Sequence, residues 1–266
     1  MEEQTAELPP ETLEGWYALH QIYRIDRERN TPAGTADSEV FRGPQNGSEG
    51  WSEAVALIGS TSDVMFVHFR PTLDAIGDLQ RELARQPWMR RLVPTYSFLS
   101  VTEAGLYQLT AKLAEEAVAR GGEAGDKQYQ SAAKAAAASE RENPYVSRRL
   151  YPKRPEAMPY VSFYPMSKRR GAGGQNWYAL PIEERSRLMH EHGLSGRRYA
   201  GRVQQVITGA IGFDAWEWGV TLFAADPLDF KKIVSDMRFD VASANYAEFG
   251  DFYVGKIGPL AEVLGG

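Results

Sequence analysis

The sequence contains no cysteine, which excludes disulfides, thiolate-ligated haem, c-type haem attachment and cysteine-held iron-sulfur clusters. Histidine is scarce too, at four residues, His20, His68, His190 and His192. Any metal must therefore be met by histidine, tyrosine, methionine or carboxylate, and a multi-histidine zinc site would need most of the four together. No apolar run is long enough to span a bilayer, and the opening MEEQTAELPPETLEG is acidic and polar where a secretory leader would be basic and then apolar. The expectation is a cytoplasmic protein without stable membrane insertion. A net charge of -5 over 266 residues gives no general attraction for polyanions, so nucleic acid is not an expected partner.

What is present reads as alternating strands and amphipathic helices. After a disordered leader over 1–14, strands are predicted at 15–25, 64–70 and 95–102, with 29–53 mostly loop. Pro71 and Thr72 open a helix over 73–85 with the stripe Leu73, Ile76, Leu79, Gln80 and Leu83. A helix follows at 103–121, a break at 122–127 and an Ala-rich exposed helix or linker at 128–140. The same order then returns: a strand at 160–166, a helix opened by Pro181, strands at 203–208 and 216–224, a helix opened by Pro227 and a strand at 248–254. VMFVHFRPTLDAIGDLQ and VTLFAADPLDFKKIVSD match as strand, proline and amphipathic helix, a weak internal duplication. The expected fold class is α+β with two ferredoxin-like halves, 15–121 and 149–266, joined by a connector over 122–148.

The richest stretch runs from 164 to 193. On its helix His192 shares a face with Leu188 and Met189, and His190 with Ser186 and Arg187, so His192 points inward and His190 outward, with Gly193 as a left-handed stop. An inward imidazole is either a hydrogen-bonded core group or a metal ligand, and periodicity leaves both open. On the preceding strand Tyr160, Ser162 and Tyr164 face one way; if extended geometry continues past Pro165, Met166 and Lys168 join that side. Spacing alone favours the plainer reading, a sheet-edge tyrosine with a solvated lysine. Gln205 shares a face with Val203 and Ile207, and Trp216, Trp218, Val220 and Leu222 align on the next strand, a surface suited to a flat ligand or to an ordinary core. Arg148, Arg149 and 168–170 are basic clusters, either solvated or able to grip carboxylates. GAGG at 171–174 lacks the strand-to-helix setting of a phosphate loop and reads as a flexible crossing.

RLYP at 149–152, FYPMSKRR at 163–170, NWYALP at 176–181, HEHGLSGRRYAG at 190–201, VQQVITGAIGFDAWEWGVTLFAAD at 203–226 and MRFDVASANYAEFGDFYVG at 237–255 closely resemble coproheme decarboxylases of the chlorite dismutase superfamily, in their Firmicutes-type branch. The resemblance implies a tandem ferredoxin-like fold, a dimeric α+β barrel, assembled as a homopentamer. It also implies the last step of coproporphyrin-dependent haem biosynthesis, the hydrogen-peroxide-driven decarboxylation of Fe-coproporphyrin III (coproheme) to haem b through a three-propionate intermediate. Coproheme would then be both substrate and redox centre, with a transient contact to the iron-inserting chelatase.

Carried over position by position, the resemblance makes His192 the axial iron ligand, Tyr164 the catalytic tyrosyl radical and Lys168 a catalytic and propionate-binding residue. Arg149 and Ser243 become further propionate contacts, Gln205 the distal residue, and Met166 and Trp177 pocket-lining residues. Chlorite-splitting relatives carry an arginine where Gln205 stands. The alternatives are a chlorite dismutase-like haem enzyme and a haem-binding or haem-transferring protein without turnover.

Overall fold

Short apolar segments, some alternating with polar residues and some, like VMFVHFR, buried on both faces, become the strands of one sheet. The computed structural model describes residues 8–29, 40–41, 49–171 and 175–265. Within these lie β1 (Thr12–Ile25), β2 (Trp51–Leu57), β3 (Val64–Arg70), β4 (Leu92–Gly105), β5 (Tyr160–Lys168), β6 (Val203–Gly209), β7 (Trp218–Ala224), β8 (Ala247–Phe249) and β9 (Tyr253–Gly258). The helices are α1 (Leu73–Arg85), α2 (Tyr107–Ala119), α3 (Lys127–Arg141), α4 (Pro144–Leu150), α5 (Ile182–Arg197), α6 (Leu228–Met237), α7 (Val241–Ala244) and α8 (Leu260–Val263).

Counted within each half, the strand order is the same. The first half runs β4-β1-β3-β2 and the second β9-β5-β7-β6, each a 4-1-3-2 antiparallel sheet with a helix between its third and fourth strands. This is the ferredoxin-like order, so the α+β expectation of two such units holds. Pairing of β2 with β9 and of β4 with β6 joins the sheets edge to edge, and eight of the nine strands close into a barrel. Closure leaves those eight strands no free edge. The ninth, β8, extends the β9 side of β5.

Strand alternation then sorts the core into layers. Trp16, Ala18, Ile22, Met65, Val67, Phe69, Phe98, Val161, Phe163, Val206 and Phe223 fill the barrel interior. Outside it, Tyr23, Phe41, Phe66, Leu79, Leu83 and Trp88 pack under α1, while Tyr164, Val220, Leu222, Phe230 and Ile233 pack under α6. Each large apolar side chain so buried contributes about 1.5–3 kcal/mol.

Several expected boundaries move. β1 begins at Thr12, inside the stretch read as leader; residues 1–7 lie outside the described residues. Trp51–Leu57 is a strand where loop was expected to run to 53, because β3 and β9 supply partners on both sides that local composition does not reveal. Pro94 sits within β4 and not before it: β6 pairs β4 at Val101 and Thr102, so no β6 partner lies beside Pro94. Glu103 belongs to that strand, and the following helix starts at Tyr107. The Ala-rich stretch is helix α3, held by Tyr129 and Ala133 against α2. The expected strand at 248–254 is broken at 250–252, opposite Pro165 of β5, whose ring nitrogen has no hydrogen to donate.

Neither remaining histidine lies on α5. His20 faces the barrel interior, stacked on Phe163 at 4.0 Å with Nε2 2.9 Å from Thr221 Oγ1; His68 lies on β3, its Nδ1 2.7 Å from Ser52 Oγ. Burial pushes His20 down to about 3 and holds His68 well below the usual imidazole range, Arg70 and His20 adding to the effect on His68. Below about pH 6.5 the unfolded chain accepts protons that these folded imidazoles refuse, so stability is lost as pH falls from there toward about 3. Urea unfolding at pH 7 and pH 4.5 is expected to show a smaller stability difference in His20→Asn than in the native chain. An equal difference would contradict the assignment.

Candidate functional site

The outward face of β5 is built by alternation alone: Tyr164, Met166 and Lys168 point away from the barrel while Phe163 points in. The strand stays extended through Pro165, so the sequence-predicted side is continuous to Lys168. Its neighbours extend the wall in cross-strand rows. Tyr164 is opposite Val220, which is opposite Ile207; Met166 is opposite Trp218, which is opposite Gly209; and Ser162, Leu222 and Gln205 form the row before.

Tyr164 is buried, with Phe252 stacked on it at 4.3 Å and Phe249 at 5.9 Å. Phe252 reaches it because the chain leaves β8 just before, where Gly250 N–H donates to Pro165 O at 2.9 Å. Burial pushes the Tyr164 phenol far above its ordinary value, only partly offset by Arg238, so it is protonated at neutral pH.

Lys168 is buried under Trp177, its Nζ 4.1 Å from the indole centroid and donating to Ala242 O at 3.1 Å. Its own backbone N–H donates to Glu217 Oε2 at 2.7 Å. Among the described residues no carboxylate lies within ion-pair distance of this ammonium. Burial therefore lowers it to about 8, with Asp240 and Glu217 pulling the other way from further off. Trp177 is held by its backbone N–H donating to the Arg169 carbonyl at 3.0 Å and by a backbone bridge between Arg170 and Asn176; GAGG falls at 171–174, of which 172–174 lie outside the described residues.

His192 points toward α7. Its Nδ1–H donates to Asp240 Oδ2 at 3.0 Å, and Ser243 Oγ donates to the same oxygen at 3.3 Å. Asp240 is also the N-cap of α7, accepting from Ser243 N–H at 2.9 Å. Burial would raise the Asp240 carboxyl, but the bonds from His192 and Ser243 outweigh it and hold it below the usual range. A carboxylate on Nδ1 fixes the tautomer that leaves Nε2 with its lone pair. His190 is exposed, its Nδ1 accepting from Gln108 Nε2 at 2.6 Å. Gly193 does not stop the helix, which continues to Arg197; the left-handed glycine is Gly201, with φ +79°. The extra turn brings Gly196 onto the wall, where a Cβ would lie 3.2 Å from Gln205 Nε2.

Tyr164, Met166, Lys168, Trp177, Ser243 and His192 thus gather around β5, α5 and α7, and Gln205 lies against α5. Arg149 stands apart on α4, its Nη2 donating to Glu103 O at 3.4 Å. Asp240 and Glu217 were not singled out by sequence. The first carries a signal in its place before VASA, a cap position; the second is a carboxylate between Trp216 and Trp218 in an otherwise apolar segment.

A histidine anchored at Nδ1, a buried ammonium and an aromatic wall suit a flat ligand that carries a metal and carboxylates. Among the described residues no group of three or more histidines and carboxylates could hold a metal alone. Any metal bound through His192 would therefore need its remaining ligands from a carrier, as iron has in a porphyrin. In 13C-lysine NMR, Lys168 is expected to titrate near pH 8, and lower in Asp240→Asn because Asp240 favours the charged form. Titration with the bulk lysines near 10.5 would contradict this placement.

The model of the chlorite dismutase family matches residues 35–258. A heme-binding protein from Thermus thermophilus is 38% identical over 97% of each chain, with a TM-score of 0.76. A double mutant of chlorite dismutase from Candidatus Nitrospira defluvii is 18% identical over 95% of each chain, with a TM-score of 0.68. The same dismutase in complex with imidazole is 18% identical over 95% of this chain and 94% of that one, at 0.67. The dismutase likenesses speak for the fold, while the family match spans most of the chain: the protein belongs to the chlorite dismutase family.

Proposed function

We propose that this protein binds an iron porphyrin on the wall formed by β5, β6 and β7, and that its reaction is the hydrogen-peroxide-dependent decarboxylation of coproheme to haem b. The observation that carries the reading is the placement of a buried neutral phenol, Tyr164, and a buried ammonium, Lys168, that no carboxylate among the described residues pairs, on one strand face beside an imidazole whose Nδ1 is tied to a carboxylate. The 38% identical heme-binding relative supports the ligand class, and the FYPMSKRR and HEHG motifs support the branch.

The substrate supplies, with peroxide, the oxidising power at its iron. The chain supplies position and protons. His192 Nε2 would hold the iron, and the Asp240 carboxylate keeps that nitrogen free and electron-rich. Lys168 orients one propionate, Arg149 and Ser243 contact others, and Met166 and Trp177 line the pocket. Tyr164 gives up an electron and its proton, and the resulting radical takes hydrogen from the propionate carbon next to the ring. For each side chain the balance is R–CH2CH2–COOH + H2O2 → R–CH=CH2 + CO2 + 2 H2O. A neutral phenol suits this role because it delivers a hydrogen atom where a phenolate delivers only an electron. Gln205, a neutral amide, offers no fixed cation to an oxychlorine anion, which favours decarboxylation over chlorite decomposition.

A homopentameric ring, a transient meeting with the chelatase and a cytoplasmic setting belong to the same proposal; among the described residues no helix is long and apolar enough to cross a membrane. The test is ferric coproporphyrin III plus hydrogen peroxide, followed by chromatography. The expected result is a three-propionate intermediate and then haem b, with Tyr164→Phe binding substrate but turning over at least about a hundredfold more slowly. Bleaching without product would favour a passive carrier, and oxygen release from chlorite a dismutase.

A further inference from the structure

The wall has a fourth strand. Glu103 lies near the end of β4, in the pairing register opposite Glu14 of β1, and its side chain crosses to β6. There it occupies the hollow left by the absent side chain of Gly209: a Cβ on Gly209 would collide with Glu103 Oε2. From that seat Glu103 Oε1 accepts from Trp218 Nε1 at 3.3 Å. Gly209, Trp218 and Met166 form one cross-strand row, so the indole that Glu103 holds is the immediate neighbour of Met166 on the outward face of β5. Arg149, the outlying member of the expected carboxylate contacts, donates to the backbone carbonyl of the same Glu103.

Packing alone does not explain a carboxylate in this place. A glutamate directly opposite another glutamate on a neighbouring strand is unfavourable, and a carboxyl drawn out of water is more so. Burial, with Glu14 adding to it, raises the Glu103 carboxyl, against the opposing pull of the Trp218 bond and Arg149. A serine or alanine would relieve both costs, but neither would reach across β6 to Trp218.

We propose that Glu103 is a positioning residue of the site: its carboxyl, seated in the Gly209 hollow, holds the Trp218 indole at the end of the ligand wall. The proposal rests on the porphyrin reading for its purpose but not for its test. Glu103 touches neither substrate nor iron; it fixes the ring against which the ligand edge lies, so its loss acts on binding more than on the chemical step at Tyr164.

The first arm uses the apoprotein and needs no porphyrin. Trp218 emission, isolated by difference against Trp218→Phe, is expected to shift to the red in Glu103→Ala and to return in Glu103→Gln, whose side-chain carbonyl still accepts from the indole. Gly209→Ala is expected to reproduce the shift in the native background, by expelling the carboxyl, and to add nothing in the Glu103→Ala background, where the hollow is free. Equal effects of Gly209→Ala in both backgrounds, or no recovery in Glu103→Gln, would overturn the proposal. The second arm is titration of ferric coproporphyrin III: Glu103→Ala should weaken binding about tenfold, as loss of a hydrogen bond to a charged group does, with saturated turnover little changed. A loss confined to turnover would overturn the positioning role, and the apoprotein arm distinguishes that from failure of the decarboxylase reading.

Discussion

Successive side chains of a strand point to opposite faces, so β5 sends Phe163 into the barrel in the same step that it sends Tyr164, Met166 and Lys168 out of it. That coupling is the constraint on which the rest of the site depends. Phe163 is locked by the stacked ring of His20 and by the surrounding aromatic core, so the strand cannot slip by one residue without exchanging its two faces. Pro165 serves the same end from the other side. It lies where the pairing of β5 breaks off between β8 and β9, and there Phe252 folds over the phenol.

The two halves share one topology, but they do not share a site. In the first half the face under α1 is filled by Tyr23, Phe41, Phe66 and Trp88, which pack on one another and on Leu79 and Leu83. In the internal match of VMFVHFRP with VTLFAADP, Phe66 corresponds to Leu222 and His68 to Ala224. On β7 the smaller Leu222 and Ala224 pack with Phe230 and Ile233 of α6, and α5 and α7 bring their polar groups together beside that layer, whereas aromatic rings fill the corresponding face of the first half. The repeated strand order builds the barrel, and the two outer faces differ in side-chain volume.

Local periodicity carried much of this. The shared face of Tyr164 and Lys168 follows from a period of two, the inward turn of His192 from its spacing to Leu188, and α1 from Pro71 and Thr72. The same reasoning failed wherever a distant partner decides. Gly193 resembles a stop, but packing of Gly196 on β6 carries the helix past it. β2 contains few residues of high strand preference and exists because β3 and β9 flank it. Glu103 reads as the start of a helix until Gly209, far along the chain, is seen to make room for its carboxyl. Asp240 serves two masters, the cap of α7 and the imidazole of α5, and only the cap is written in neighbouring residues.

Short α7 is what makes a single site of these parts. Its N-cap Asp240 binds His192, and the carbonyl of its Ala242 holds Lys168, so the imidazole and the ammonium are referred to one rigid turn. The most direct test of that account is resonance Raman spectroscopy of the ferrous coproporphyrin complex. The account predicts an iron–histidine stretch that is absent in His192→Ala and lowered in Asp240→Asn, since a neutral amide withdraws less of the Nδ1 proton. A stretch that survives in His192→Ala, or is unmoved in Asp240→Asn, would contradict it.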